Sequence, residues 1–489
     1  MPPTARGDRR LVPRLIETGR PLNSNRVTAP ACAATGRTPS FWLDQLGTVA
    51  QRPALRGAEE ADVCIVGGGF TGLWTAYELR RADPQLRVVV LEAEHAGFGA
   101  SGRNGGWVLG KVSGSPQAWK RRGGSGAARA MARAIQATVG EIGEVVELEQ
   151  IACDWCHGGS LTVAQSEPQL ARLRSELERE RGWVGEDTAW RLIGGEEVRQ
   201  RVAVARAVGA LYTPHCARVQ PAKLAAGLAE AAEHRGALIY EGSRVLKTAP
   251  GVAYTAGGRV DARYVIVATE GYTANLPGRH RALLPLNSAM IVTEPLPAEL
   301  LSKLRWQRAE TLLDGSHFYT YSQRTADGRV AIGGRGVPYR FGSRTDREDP
   351  VPERTVAQLR ERLSSLFPQL REVSVARAWH GVLGVARDWC PSVGLDRGSG
   401  LAYAGGYAGE GVAASNLAGR TLRDLILGQD TELTRLPWVG KPARNWEPEP
   451  LRFVGAHGIY SLYRAADRHE AKTGRSSPIA AFANALAGR

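Results

Sequence analysis

A strand, a glycine turn, a helix and a second strand follow one another in residues 61–94, ADVCIVGGGFTGLWTAYELRRADPQLRVVVLEAE. Residues 63–66 form a short, continuous apolar run, which is typical of a parallel strand buried on both faces. Gly67, Gly69 and Gly72 then give G-x-G-x-x-G. The first glycine permits a tight turn, the second lets the backbone approach a pyrophosphate, and the third allows close packing of helix on strand.

An acidic residue completes this pattern. The second strand, residues 87–91, ends at Glu92, about 20 residues beyond the last glycine, where a carboxylate can accept hydrogen bonds from ribose hydroxyls. The same charge repels a 2′-phosphate, which disfavours NADP. A merely glycine-rich turn lacks this order of strand, fingerprint, helix, strand and acid. The stretch therefore predicts a dinucleotide-binding α/β unit.

Three further segments bear on which dinucleotide is bound. Residues 97–106, GFGASGRNGG, form a second loop of small residues that an NAD-binding unit does not need. Residues 262–268 read as another buried strand, and residues 401–428 pass from a strand through a glycine turn into a helix. The positive N-terminal dipole of that helix would face a ligand. These segments favour FAD over the alternative, an enzyme that uses NAD alone.

The ordered motifs VGGGFTGLWTAYEL, LEAE, GASGRNGG, VIVATEGY and GYAGEGVAASNLAGR resemble the D-amino-acid-oxidase (DAO) superfamily of FAD-dependent oxidoreductases. The resemblance is closest to its gamma-glutamylputrescine-oxidase-like branch and extends over roughly residues 40–470. It implies an α/β fold: a doubly wound, FAD-binding Rossmann-type domain with an interleaved α+β substrate domain built on an antiparallel sheet.

The resemblance also implies which residues contact FAD. They belong to the pyrophosphate turn, the ribose acid, the loop beside the flavin, an adenine contact, the end of a strand, and the final glycine turn. In that order they are Gly67, Gly69, Phe70, Thr71, Gly72; Glu92; Ser101, Gly102, Arg103, Asn104, Gly105, Gly106; Val245; Ala268, Thr269; and Gly406, Gly409, Gly411, Val412. The N–H groups of the final turn would face the flavin pyrimidine carbonyl, where negative charge develops on reduction. Cys390 lies later than the attachment cysteine of some relatives, so non-covalent FAD is expected.

The resemblance implies a discontinuous domain organisation. The expected segments are residues 58–112, 212–280 and 376–430 for the FAD-binding domain and 113–211 and 281–375 for the substrate domain. Residues 1–38 carry seven arginines and no apolar periodicity, which predicts a disordered leader, and residues 431–489 are expected to form a C-terminal extension. Two interpretations of the extension stay open: a clamp packed on the FAD-binding domain, or a subunit interface.

Substrate contacts are expected from an aromatic wall. Tyr319 and Tyr321 share one face of a predicted hairpin by period-two alternation, and Trp379 and His380 precede the last pair of strands. Glu410, within the final glycine turn, either attracts an ammonium group or faces solvent. We predict Tyr321, His380 and Glu410 as catalytic residues and Tyr319 and Trp379 as substrate contacts, although each aromatic residue alone is more often structural.

The implied reaction is oxidation of a C–N bond in an amine or amino acid. Hydride passes from the carbon beside a neutral amine to flavin N5, and the imine then hydrolyses. We expect reoxidation by O2, which would give H2O2, and favour an oxidase over a dehydrogenase, although the sequence itself does not distinguish the two. A 2-hydroxy-acid or polyol dehydrogenase of the same superfamily would share every FAD motif. A substrate carboxylate would need an arginine, and Arg324, Arg335 and Arg387 are all eligible.

Composition disfavours other classes of function. The net charge is +14, from 63 basic and 49 acidic residues, but the basic residues are scattered among acids. They form no stripe with interleaved aromatics, so a nucleic-acid-binding protein is a weaker hypothesis. No long apolar run spans a bilayer and no secretion signal is recognisable, which favours a reducing, cytoplasmic setting without a membrane partner.

The cysteines do not indicate a disulfide framework, since six in 489 residues are sparse. Cys153 and Cys156 read C-x-x-C-H, the attachment pattern of a c-type haem. Residues 151–164 read as two strands around Gly158 and Gly159, so the pair is expected in a strand and not at the helix start of a redox motif. Two structural thiols are the preferred interpretation, and no metal site is predicted.

Overall fold

Two eight-stranded sheets and a two-stranded ribbon organise the residues described by the computed structural model, which are 39–47, 50–185, 188–334, 339–345, 350–440 and 444–487. The predicted leader, residues 1–38, lies outside this range. Among the described residues, five cysteines form no disulfide bond: Cys64, Cys153, Cys156, Cys216 and Cys390. Within the same range, none of the helices combines the length and the apolar character needed to cross a bilayer.

The strands are β1 Gly57–Val66, β2 Val88–Leu91, β3 Trp107–Leu109, β4 Ser160–Ala164, β5 Arg191–Gly194, β6 Gly209–Thr213, β7 Cys216–Arg218, β8 Leu238–Tyr240, β9 Val245–Ala249, β10 Val252–Thr255, β11 Gly258–Val267, β12 Leu284–Thr293, β13 Thr311–Asp314, β14 Thr320–Arg324, β15 Val330–Gly334, β16 Val375–Val385, β17 Ser392–Asp396 and β18 Leu401–Gly405. The helices are α1 Phe41–Asp44, α2 Phe70–Ala82, α3 Pro116–Leu148, α4 Glu167–Val184, α5 Gly195–Arg201, α6 Pro221–His234, α7 Ala298–Leu304, α8 Glu353–Leu366, α9 Gly411–Leu427, α10 Leu451–Thr473 and α11 Pro478–Ala487.

The first sheet has a parallel centre in the order β18, β11, β1, β2, β8, with β17 antiparallel to β18 at one edge. Helices α2, α6 and α9 pack on one face, where Val63 and Ile65 of β1 are buried. The antiparallel pair β9 and β10 packs on the other face, against Cys64 and Val66. Successive residues of β1 are therefore buried on opposite faces, which explains the continuous apolar run.

The second sheet has the order β16, β12, β15, β14, β13, β4, β6, β5. Its neighbouring strands are antiparallel except β13 and β4, which are parallel. Helices α5, α7 and α8 contribute to the core on one face, where Trp306 and Phe367 stack with ring centroids 5.5 Å apart. The predicted α/β class with an antiparallel substrate sheet is confirmed.

Two details differ from the sequence-based expectation. Strand β16 pairs with β12 along its whole length and so belongs to the second sheet, whereas the sequence-based prediction places residues 376–430 in the FAD-binding domain. Residues 151–164 contain one strand, β4, and Cys156 makes only an isolated bridge to Arg218. Asp154, at φ +56°, has a left-handed backbone that an extended strand does not adopt. The remaining domain boundaries stay predictions.

The C-terminal extension contacts both sheets. Trp438 is fully buried, and its carbonyl accepts a hydrogen bond from Val393 N–H of β17 at 3.1 Å. Asp467 of α10 accepts hydrogen bonds from the N–H groups of His317 and Phe318 at 2.8 and 2.9 Å, just before β14. The extension therefore fastens the second sheet as well as the first.

Candidate active site

A cavity of about 320 Å³ lies at the carboxyl ends of β1, β2 and β11. Parallel α/β sheets bind their ligands at this edge. The predicted cofactor residues on its wall are Gly67, Gly69, Phe70, Thr71, Glu92, Ser101, Asn104, Val245, Ala268, Thr269, Gly411 and Val412. We call it the cofactor cavity.

The glycine turn after β1 leaves no room for side chains. A Cβ atom on Gly67, where φ is +110°, would lie 2.7 Å from the Ala268 carbonyl oxygen. Gly72 does not line the cavity, but its Cβ would lie 1.9 Å from the Gly67 carbonyl oxygen. Gly69 caps α2 without a side chain, and the Ser101 hydroxyl instead accepts the Phe70 N–H at 2.8 Å. The glycine spacing thus packs α2 directly on the turn.

Glu92 follows β2 at the far end of the cofactor cavity. Its Oε2 accepts the Gly68 N–H at 2.7 Å and its Oε1 accepts the Glu94 N–H at 3.0 Å. Burial raises the pKa of the Glu92 carboxyl, and the two backbone N–H groups oppose that change. Each carboxylate oxygen has a second lone pair, so ribose hydroxyls can still be bound. Val245, the first residue of β9, lies on the same wall.

A second cavity of about 170 Å³ adjoins the first, and we call it the substrate cavity. Both cavities share Ala100, Asn104, Glu270, Val382, Tyr407, Gly411 and Val412 on their walls. Of the predicted residues, the substrate cavity is also lined by Arg103, Gly105, Tyr319, Tyr321, Gly409 and Glu410. The N-terminus of α9 therefore lies where the two cavities meet.

Aromatic side chains form part of the substrate cavity wall. The Tyr321 ring packs edge-on against Trp107, with centroids 6.1 Å apart, and its hydroxyl lies 2.8 Å from Ser288 Oγ. A Cβ on Gly105 would lie 2.9 Å from that ring, and a Cβ on Gly333 only 2.4 Å from it. The two glycines therefore make space for Tyr321. Trp107 was missed by sequence reasoning, although it directly follows the GRNGG motif.

Glu270 is the most informative residue that sequence reasoning missed. Its Oε1 accepts the N–H groups of Gly406 and Tyr407 at 3.0 and 2.8 Å, and its Oε2 accepts the Gly384 N–H. Burial raises the pKa of the Glu270 carboxyl to about 7, against the effect of these N–H groups. A charged residue between small residues at the end of a buried strand was the available signal.

Glu270 also corrects one expectation about the final glycine turn. The Gly406 N–H is bonded to Glu270, and Gly406 lies on the wall of neither cavity. It is therefore not directed at a flavin carbonyl. Gly411 and Val412, in the first turn of α9, line both cavities and take that place in our account.

Two predicted substrate-site residues, Trp379 and His380, do not line either cavity. Trp379 is 2% exposed, packs edge-on against Trp42 at 5.9 Å, and donates its indole N–H to the Arg103 carbonyl at 2.9 Å. His380 is its neighbour in β16, so alternation directs its side chain to the opposite face of the sheet. Trp379 therefore supports the loop of residues 97–106 through packing and through this hydrogen bond.

Two glycines of the 97–106 loop serve packing instead of lining a cavity. A Cβ on Gly102 would lie 2.5 Å from the Gly97 carbonyl oxygen, and one on Gly106 would lie 2.1 Å from Gln323 Nε2. The same loop directs Arg103 onto the substrate cavity wall, where its Nε donates to the Phe98 carbonyl at 2.7 Å.

Glu410 is the N-cap residue of α9 and lines the substrate cavity. Nearby Lys111 forms an ion pair with Glu176 at 2.7 Å. Glu176 and, more weakly, Glu410 raise the pKa of the Lys111 ammonium in spite of burial. Glu410 thus belongs to a cluster of charged side chains, with Lys111 and Glu176, beside the substrate cavity.

Other candidates lie elsewhere. Cys390 is fully buried and lines neither cavity, in keeping with non-covalent cofactor binding. Arg387 pairs with Glu447 at 2.9 Å, Arg324 is absent from both walls, and Arg335 lies outside the described residues. His317, Asp467 and Glu470 have metal-ligand spacing, but Glu470 is already paired with Arg172.

The residues on the walls fit FAD. The glycine turn leaves a cradle for a pyrophosphate, Glu92 can accept from a ribose, and the long cavity opens beside the substrate cavity, where the reactive ring is needed. Bound there, FAD would supply the hydride acceptor.

Known proteins share this architecture. Residues 62–425 match the model of a family described as FAD dependent oxidoreductase (DAO). The chain is 34% identical to gamma-glutamylputrescine oxidoreductase of Escherichia coli (strain K12) over 439 residues, 88% of this chain and 98% of the relative. A crystal structure of glycine oxidase from Geobacillus kaustophilus matches with a TM-score of 0.64 at 23% identity, covering 76% of this chain and 96% of that one. L-proline dehydrogenase from P. horikoshii matches with a TM-score of 0.63 at 18% identity, covering 78% and 98%.

The extent of these matches decides between the dinucleotides. The family match includes both glycine turns and nearly all of helix α9, which ends at Leu427. The matched family is FAD-dependent. The expected cofactor, FAD, is confirmed, and an enzyme that uses NAD alone is not supported. The chain belongs to the DAO family of FAD-dependent oxidoreductases.

Proposed function

We propose that this protein oxidises the C–N bond of an amine or amino acid, with an elongated primary amine such as gamma-glutamylputrescine as the first candidate. The observation that carries the proposal is the pair of carboxylates, Glu270 and Glu410, on a largely aromatic and aliphatic wall that adjoins the cofactor cavity. A negative potential in a low-dielectric site attracts an ammonium group. The similarity to gamma-glutamylputrescine oxidoreductase supports the same choice.

The wall residues also favour the reactive form of such a substrate. An ammonium has no free lone pair, so the amine must lose a proton before hydride can leave the neighbouring carbon. Tyr319, Tyr321 and Trp107 desolvate the bound group, and desolvation disfavours its charged form. Glu410 draws the ammonium to the cavity, and desolvation by the aromatic wall then favours loss of the ammonium proton to solvent, which leaves the neutral amine. We further propose O2 as the electron acceptor, with H2O2 as product.

The second candidate is oxidation of a 2-hydroxy acid. Arg103 on the substrate cavity wall favours it, because a guanidinium can bind a carboxylate. That guanidinium already donates to the Phe98 carbonyl at 2.7 Å and to the His380 carbonyl at 3.5 Å. Two carboxylates oppose this single cation, so the amine remains the favoured substrate class.

Anaerobic stopped-flow spectroscopy of the FAD-loaded protein tests the proposal. We expect gamma-glutamylputrescine and simple primary amines to bleach the flavin, and lactate or glycerol to leave it oxidised. Bleaching by hydroxy acids alone would establish the second candidate instead.

Two variants test the role of Glu410. In Glu410→Gln we expect the amine concentration for half-maximal bleaching to rise about fivefold, the equivalent of a partly exposed ion pair of about 1 kcal/mol. Glu180→Gln is the matched control, since Glu180 also interacts with Lys111 but is not on the cavity wall. Equal shifts in both variants would refute a direct role for Glu410.

A further inference from the structure

Glu270 occupies a costly position that ordinary packing does not require. It follows β11 with φ at +44°, a left-handed backbone that favours glycine or asparagine. Its side chain lies on the walls of both the cofactor cavity and the substrate cavity. Strained backbone at such a junction is a reason to look for function.

The carboxylate is stabilised by dipoles alone. Its partners are the N–H groups of Gly384, Gly406 and Tyr407 and, more weakly, that of Gly271. No cation pairs with it in the part of the chain that the structure describes. Backbone N–H groups lower the pKa of a carboxyl, and a neighbouring Arg or Lys would lower it further. Glu270 has only the first of these two effects. The proton affinity of Glu270 is therefore sensitive to any new charge beside it.

Few titratable groups face Glu270 from the surrounding elements. Tyr407, on the turn before α9, has its hydroxyl 3.0 Å from Thr71 Oγ1. Burial and, more weakly, Glu270 raise the pKa of its phenol, against the effect of the Thr71 hydrogen bond. Tyr272 belongs to the same short 3-10 helix as Glu270. Strand β16 contributes the neutral Gly384 there.

The substrate cavity adds two charges of opposite sign, Arg103 and Glu410. Leu283, which leads into β12, lies against Gly384 beside the carboxylate and is apolar. Glu270 is thus the carboxyl group placed where both cavities meet.

We propose that Glu270 takes up a proton from solvent when the bound flavin is reduced. This inference rests on FAD binding and not on the choice of an amine substrate. Oxidised flavin takes two electrons and one proton to become a reduced anion. A second negative charge beside it is unfavourable in a low-dielectric site, so the Glu270 carboxylate binds a proton and becomes a neutral acid. Two electrons, from dithionite in the test or from substrate in turnover, then bring two protons from solvent.

The pH range follows from the geometry and burial. Burial raises the pKa of Glu270 to about 7, so in the oxidised protein the group is ionised above that pH and protonated below it. Below about pH 7 it is protonated in both redox states, and reduction takes up one proton. Above about pH 7 it is ionised only in the oxidised state, and reduction takes up two.

Spectroelectrochemical titration of the FAD-loaded protein between about pH 6 and pH 9 tests this. We expect the midpoint potential of the wild-type flavin to fall about twice as steeply per pH unit above pH 7 as below it. Glu270→Gln should show the shallow, one-proton dependence throughout. Glu270→Asn is the second neutral variant, because asparagine tolerates the left-handed backbone.

Glu180→Gln is the matched control. Burial also raises the pKa of the Glu180 carboxyl, but Glu180 lines neither cavity, so the steep dependence above pH 7 should persist. A one-proton dependence in the wild type above pH 7, or a two-proton dependence that survives in the neutral variants, would overturn the proposal.

The absorption spectrum of the reduced flavin distinguishes protonation of Glu270 from protonation of the flavin itself. A change from its anionic to its neutral form over the same pH range would place the second proton on the flavin and not on Glu270. If neither neutral variant retains FAD, the wild-type slope and this spectrum decide the question. A flavin that titrates as expected but is not bleached by amines would refute the proposed substrate class and leave this inference standing.

Discussion

Replacing Gly72 with alanine is the most specific test of how the chain holds its cofactor. The new Cβ would lie 1.9 Å from the Gly67 carbonyl oxygen and 3.1 Å from Ile65 Cγ2. Even a close C–H···O contact needs a C···O distance of about 3.3 Å, so helix α2 or the glycine turn must move by about 1 Å or more. Overpacking of this kind costs about 3 kcal/mol where only backbone can yield.

The turn that yields is the one on which the pyrophosphate is expected to rest. If the whole cost falls on the FAD-bound form, Gly72→Ala weakens FAD binding about 100-fold, which fluorescence titration of the apoprotein measures directly. Gly140→Ala is the control: this glycine is exposed within α3, no atom lies within 4 Å of its new Cβ, and alanine should stabilise the helix by about 1 kcal/mol. A Gly72→Ala protein that binds FAD as tightly as the wild type would refute the packing argument.

Three further predictions concern the walls and the core. Tyr321→Ala should raise the amine concentration for half-maximal bleaching about tenfold in stopped-flow experiments, whereas Tyr321→Phe, which loses only the hydrogen bond to Ser288, should change that concentration less than about threefold. Equal effects of the two substitutions would contradict a role of the Tyr321 ring in the cavity wall. Trp379→Ala should lower the free energy of unfolding by about 3 kcal/mol or more in denaturant titrations, because it removes a buried indole and its hydrogen bond to the Arg103 carbonyl; an unchanged free energy would contradict the packing role. Arg362 and Thr320 hold the pKa of Asp314 below its usual range in spite of burial, so this carboxylate stabilises the fold above about pH 4 and the stabilisation is lost as pH falls. Asp314→Asn should therefore cost about 3 kcal/mol at pH 7, and the difference from wild type should shrink towards pH 3; a constant difference would contradict the ion-pair account.

The cofactor turn was predictable because its determinants are local. Gly67, Gly69 and Gly72 are fixed by contacts within one strand, turn and helix, and Glu92 follows the next strand of the same unit. Short-range spacing in the sequence carries all of that information. The strands β1, β2 and β11, the helices α2 and α9, and the hairpin of β14 and β15 follow from similarly local patterns, whereas the pairing of β1 with β11 joins segments far apart in the chain.

The substrate cavity was predictable only in part, because distant segments build it. Trp379 and His380 lie in β16, the strand whose Gly381 lines the substrate cavity, but burial of Trp379 against Trp42 depends on a helix more than 300 residues away. The role of Glu270 depends on Gly384 and Gly406, which belong to other strands and turns. Long-range contacts of this kind leave no periodic signal in the chain.

The central claim is that the long cavity holds FAD and that an amine reduces it from the neighbouring cavity. The visible spectrum of the purified, FAD-reconstituted protein, recorded anaerobically before and after addition of gamma-glutamylputrescine, tests both parts at once. We expect one flavin per chain and loss of the visible absorption of the oxidised flavin when the amine is added. A protein that binds no flavin, or a bound flavin that no amine or amino acid bleaches, would contradict the account.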